Sequence, residues 1–266
     1  MKPSAATQRL GRNHGRYLGE AIDIHQVLRE TIESGVEQGW RQESILDTES
    51  YSLLALHRSS TAAHRRIYIS SGIHGDEPAG PLAMRQLVKE NFWPELADIW
   101  LCPCLNPTGF PLNQRENSAG LDLNRQYLLP EAEEIRAHVR WLGKQPSFDV
   151  TICLHEDWES NGFYVYELNP ENRLSHSEEI VRRVSEVCPI DMSPMIEGRE
   201  AHGGIVRPSA DPRSRPQWPE AFYLLTHKTR LSYTMEAPSD FPLGIRVAAL
   251  VAGVRATLSE HGEIRE

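Results

Sequence analysis

Six runs rich in β-branched and aromatic residues alternate with stretches of helical period, and this alternation constrains the fold more than any other feature of the chain. The strand-like runs are YSLLALHR (51–58), RRIYISSGI (65–73), DIWLCPCL (98–105), DVTICLHE (149–156), GFYVYEL (162–168) and LSYTMEAP (231–238). A helical pattern starts at Pro81 and carries Leu87 and Val88, and another in 130–145 spaces Ile135, Val139 and Leu142 at helical period. A last one places Val247, Leu250, Val251, Val254 and Leu258 on one face. The pattern predicts a single α/β domain over residues 1–266, with a central mixed, largely parallel twisted sheet flanked by helices on both faces. Residues 1–45 read as an N-terminal helical extension, and 197–220, rich in Gly, Pro and Arg, as an irregular loop near the cleft. No internal repeat or long linker interrupts the chain.

The hydrophobic fraction of 39% with 24% charged residues suits a globular core. A net charge of −9 and a pI of about 5.7 argue against binding to nucleic-acid backbones. Apolar runs break well short of the roughly 18 residues of a membrane span. The first residues, MKPSAATQRLGRNHGRYLGE, lack the apolar core of a secretory signal, so a cytoplasmic location is expected. Cys102, Cys104, Cys153 and Cys188 match no zinc-knuckle spacing and read as buried reduced thiols.

In open α/β sheets ligands bind beyond the carboxyl ends of the strands. His74 and Glu77, in SSGIHGDEPAG (70–80), follow one such end, His155 sits at another, and Glu236 closes a third. An H-x-x-E pair can offer imidazole and carboxylate to one zinc ion, but a catalytic site needs a third ligand. His155 is the natural candidate, with His202 and His227 as competitors. The segment LNPTGFPLNQRENSAGLDLNRQY (105–127) crowds Arg115, Asn117, Asp122, Asn124 and Arg125 into a turn-rich stretch whose Gly109 and Gly120 also suit a surface loop. Two arginines near a metal would give an amide hydrolase a donor for the oxyanion and a fork for a carboxylate.

HGDE, NPTGFPLNQRENSAGLDLNR, LHE and TMEAPS, in that order, resemble the zinc carboxypeptidase family. The likeness is nearest to small bacterial members such as murein peptide amidase and runs from about residue 65 to about residue 240. The resemblance implies a carboxypeptidase-like fold and one zinc per chain held by His74, Glu77 and His155. It implies Asp122 behind a ligating imidazole, Arg115 on the scissile carbonyl, and Asn124 and Arg125 on the substrate's terminal carboxylate. Glu236 would be the general base that takes a proton from zinc-activated water. The implied activity is metallopeptidase cleavage of an amide bond adjacent to a free carboxylate. The implied substrate is a peptide or acyl-amino acid, a murein peptide among them, with neither nucleic acid nor membrane as partner.

The chain departs from larger relatives in one respect. Where they carry a mobile tyrosine upstream of the base, this chain reads RSRPQWPE, so no catalytic tyrosine is assigned. The aromatic-rich WESNGFYVYEL is a candidate cleft wall as well as a core strand. The alternative activity is deacylation of N-acyl amino acids, as in the succinylglutamate desuccinylase and aspartoacylase branch, which shares H-x-x-E, DLNR and the final Glu. A silent metal- or peptide-binding module would lack Glu236 or Arg115, and both are present. A serine hydrolase lacks its G-x-S-x-G elbow here. Arg199, Arg207, Arg213 and Arg215 in the irregular loop are expected to be solvated for the most part, with a hint of acidic ligands.

Overall fold

The computed structural model describes residues 9–12, 20–211 and 215–259. All six expected strands form: β2 (Ser52–Arg58), β3 (Arg65–Ser71), β4 (Ala97–Cys102), β5 (Val150–Asp157), β6 (Tyr164–Leu168) and β10 (Ser232–Pro238). They are joined by β1 (Arg41–Asp47) and by three short strands, β7 (Met195–Ile196), β8 (Arg199–His202) and β9 (Ile205–Val206). Together they make one mixed sheet in the order β1-β2-β4-β3-β5-β10-β6-β9-β8-β7. Its centre, β4-β3-β5-β10, is parallel, and antiparallel pairing dominates towards both edges.

Strand alternation sorts the apolar residues into two cores. Ile67 and Ile69 of β3 and Val150, Ile152 and Leu154 of β5 pack on one face. They meet helices α1 (Ile24–Glu37), α2 (Ala79–Glu90), α4 (Ser177–Val184) and α6 (Leu243–Leu258). Tyr68 and Cys153, from the same strands, face the opposite side under α3 (Glu133–Lys144) and α5 (Glu220–His227). This is the sheet covered on both faces that the alternation predicts. All four cysteines are buried free thiols.

Two segments differ from their expected form. Within 1–45, α1 starts where the Asp23 side chain accepts from the Gln26 N–H at 3.0 Å, but Arg41–Asp47 is an edge strand. RQESILD carries no clean alternation because much of it is exposed, so pairing with β2 rather than burial holds it extended. Within 197–220, β7–β8 and β8–β9 are hairpins with two-residue turns at Glu197–Gly198 and Gly203–Gly204, all four at positive φ. Strands of two to four residues are too short to show a period, and the Glu-Gly and Gly-Gly pairs are their only sequence signal. Arg213 lies outside the described residues. Among the described residues no helix is long and apolar enough to cross a membrane.

Candidate active site

The parallel strands β3, β5 and β10 end at one edge, and the site is built there. On β5, Cys153, His155 and Asp157 share a face, and the register sets Glu236 of β10 between His155 and Tyr164 of β6. After β3 the chain turns at Gly72, φ +63°, and enters the loop that carries His74 and Glu77 into α2. That loop lies against the Asn106–Gly109 turn so closely that a Cβ on Gly75 would sit 2.2 Å from the Gly109 carbonyl carbon. Asn106, fully buried, ties the two loops by donating to the Ile73 carbonyl at 3.2 Å and to the Arg115 carbonyl at 3.3 Å, while accepting from the Gly109 N–H at 2.9 Å. Gly75→Ala is therefore expected to destabilise the protein by about 1–3 kcal/mol, read from denaturant midpoints.

His74, Glu77 and His155 are buried, and one donor atom from each lies within 4.8 Å of the others. Both imidazoles turn Nδ1 to the same carboxylate: His74 Nδ1 is 2.5 Å from Glu77 Oε1, and His155 Nδ1 is 3.0 Å from Glu77 Oε2. The other His74 nitrogen, Nε2, lies 3.4 Å from Asp122 Oδ1, poorly angled for a hydrogen bond but close enough for their charges to interact. Burial works to raise the Glu77 carboxyl, yet the two imidazoles hold it below its ordinary value. Burial lowers His155, whereas for His74 the pull of Glu77 and Asp122 outweighs burial and raises it.

The donor set fits a divalent transition metal. Two buried imidazoles turn Nδ1 to one buried carboxylate, with the Asp122 carboxylate beside the far nitrogen of His74, a nitrogen and oxygen set of the kind such ions accept. His202 and His227 are elsewhere: His202 is exposed on β8 beside Glu200, and His227 ends α5 against Tyr223.

The remaining residues singled out in the sequence gather around the cluster. Arg115 Nε donates to Asp122 Oδ2 at 2.9 Å and its Nη1 lies 3.3 Å from His74 Nδ1. Burial raises Asp122, but His74 and Arg115 outweigh it and hold the carboxyl well below its usual range. Asn124 Oδ1 accepts from the Glu220 N–H at 2.8 Å, which leaves its amide nitrogen as the group available to the cleft. Burial, then Glu77 and Asp157, push Glu236 well above the ordinary carboxyl range. Arg115, Asn124, Arg125 and Glu236 all line one cavity of about 440 Å³ with the three cluster residues.

Other lining residues carried no assigned role in the sequence. Tyr164 and Tyr166 face the cavity while Val165 between them joins the core, so the aromatic-rich stretch is both cleft wall and core strand. Arg199 and Arg215 line the cavity as well, stacked on Tyr166 and Phe222 at 5.8 and 4.5 Å, and neither pairs with a carboxylate among the described residues. Arg207 points away to Glu167 and Glu178, both at 2.9 Å. Spacing cannot reveal which loop arginines turn inward, because tertiary contacts decide it: Arg199 sits over Tyr166, Arg215 over Phe222, and Arg207 against Glu167 and Glu178.

Solved structures share this fold. A provisionally assigned metallopeptidase from Shewanella amazonensis SB2B superposes with a TM-score of 0.76 at 21% identity, covering 89% of this chain and 94% of that one. A metallo-carboxypeptidase from Burkholderia cenocepacia gives 0.66 at 16%, covering 86% and 66%. One from Pseudomonas aeruginosa, in complex with (2-guanidinoethylmercapto)succinic acid, gives 0.62 at 20%, covering 87% and 69%. No curated protein matches the sequence. Residues 63–199, just over half the chain, match the succinylglutamate desuccinylase/aspartoacylase catalytic domain, and they hold the whole His74, Glu77, His155, Arg115, Asp122, Asn124 and Arg125 constellation. On that match and this fold, the chain belongs to the succinylglutamate desuccinylase/aspartoacylase family.

Proposed function

We propose that this protein is a zinc-dependent hydrolase that cleaves the amide bond between an acyl group and an amino acid bearing a free carboxylate. The observation that carries the reading is the convergence of a buried His-Glu-His cluster, an acid and four arginines, Arg115, Arg125, Arg199 and Arg215, on one cavity. In this reading His74, Glu77 and His155 hold the zinc, which when bound supplies a Lewis acid and brings the pKa of a bound water to about 7. Glu236, beside His155 in register, accepts the proton of the attacking water and returns it to the leaving amine. Arg115, oriented by Asp122, donates to the carbonyl oxygen as negative charge develops there. Asn124 and Arg125 grip the carboxylate and so set the amide between base and arginine.

A deacylase and a carboxypeptidase share this chemistry, since each releases an amino acid whose carboxylate must be held. They differ in what lies on the acyl side. The family match favours a small acyl group, and a cavity of about 440 Å³ is at the compact end of small-molecule sites. Arg199 and Arg215, each over an aromatic ring and without a carboxylate partner among the described residues, favour a further acidic group on the substrate. The carboxypeptidase form is the second reading: metallo-carboxypeptidases share this fold, and the aromatic wall suits a peptide side chain.

The deciding assay compares N-acyl amino acids with short peptides, each with a free and an amidated carboxylate. Turnover of the acyl amino acids alone supports deacylation, turnover of peptides alone supports the carboxypeptidase form, and turnover of neither sinks both. Arg125→Ala is expected to raise KM about ten- to a hundredfold for the free-carboxylate substrates and to leave the amidated ones unchanged.

A further inference from the structure

On β5, His155 faces the cavity and Glu156, the next residue, points through the sheet to the face covered by α2 and α6. There Glu156 is wholly enclosed and meets Arg246 of α6, whose side chain is also fully buried. Arg246 Nη1 donates to Glu156 Oε2 at 2.5 Å, and Arg246 Nη2 donates to Glu20, on the segment before α1. The other Glu156 oxygen, Oε1, accepts from the Ala79 N–H, the first residue of α2, at 2.6 Å. The Glu156 backbone N–H donates to Glu77 Oε2 at 3.1 Å, the same oxygen that His155 Nδ1 approaches.

Glu156 thus bonds both halves of the cluster. Its backbone orients the Glu77 carboxylate, and its side chain holds the start of the helix that follows Glu77 by two residues. A charge buried this deeply is costly unless paired, so the carboxylate keeps its place only while Arg246 is opposite it. A pair built solely to fill the core would be replaceable by apolar residues and would have no reason to share partners with the cluster.

We propose that Glu156 and Arg246 are positioning residues for the metal cluster: their buried pair sets the β3–α2 loop against β5, so that Glu77 and His155 present their donor atoms to one point. Glu20 extends the same network to the N-terminal segment. The inference rests on the metal reading given above. It predicts that the pair governs affinity for the ion and the rate of turnover, with little effect on substrate binding.

The test uses the full chain, stripped of metal and titrated with zinc against a chromophoric chelator, with cobalt(II) as a spectroscopic reporter. Glu156→Gln keeps the shape, and Arg246→Met removes the charge at similar bulk. Both are expected to weaken zinc binding about 10- to 100-fold, shift the cobalt bands and lower kcat with KM little changed. Arg246→Lys should recover part of each effect, and Arg182→Met, which breaks an exposed ion pair with Glu179 and Glu186, should change none. If Arg246→Met does not fold, Glu156→Gln decides. A folded Glu156→Gln protein with wild-type zinc affinity and cobalt spectrum overturns the proposal. Zinc affinity unmoved by His74→Ala would instead overturn the metal reading itself, so the two failures are distinguishable.

Discussion

Glu236→Gln is expected to lower kcat by about 10²–10⁴-fold while leaving zinc content and substrate KM close to wild type. The amide is isosteric with the carboxylate but cannot accept the water's proton. Glu236 pairs directly with His155 across the β5–β10 register, lines the cavity, and lies outside the His74, Glu77 and His155 cluster, so its loss should cost the proton transfer and not the ion. Burial, Glu77 and Asp157 all push its carboxyl upward, and only the deprotonated form can act as base. Activity should therefore rise with pH on the acid side, and a Glu236→Gln enzyme of undiminished kcat would remove the base from the account. Steady-state kinetics with elemental analysis of the same preparation reads both quantities.

The second large effect concerns the cluster itself. His74→Ala should abolish stoichiometric zinc and reduce kcat/KM by a factor on the order of 10³ or more, since several kcal/mol of charge stabilisation depend on the ion. Chelation of the wild-type protein should produce the same loss, and added zinc should restore it. The variant should not recover, because two remaining protein ligands are too few for a catalytic site. Recovery of His74→Ala by zinc at wild-type concentrations would show that the imidazole is not a ligand. Asp122→Asn is the informative intermediate: it keeps His74, Glu77 and His155 but withdraws the charge beside both His74 and Arg115.

The parts of this molecule legible in its sequence are those that local periodicity and strand ends control. The six long strands and the helices α2, α3 and α6 follow from apolar spacing, and the two-faced sheet follows from their alternation. His74, Glu77, His155 and Glu236 were legible as a set because each ends a strand or follows one, and parallel strands bring such ends to one edge. The exposed edge strand β1 and the hairpins β7–β9 were not, since pairing and not patterning holds them. Short α5 begins at Pro219-Glu220, inside a stretch whose Pro and Trp content reads as loop. Most of the supporting polar network was equally hidden. Asn106, Glu156 and Arg246 are polar residues at unremarkable positions, and only the tertiary contacts among β5, α2 and α6 show what they do.

If three side chains from two distant segments meet at a single divalent ion with an acid beside it, anomalous diffraction at the zinc edge from crystals of the zinc-loaded protein should show it. One strong peak per chain is expected, bonded to His74 Nδ1, Glu77 and His155 Nδ1 and facing Glu236 across the cavity. Full-occupancy zinc bound by other residues, or no peak among these three in zinc-saturated crystals, would rule the proposed metal site out.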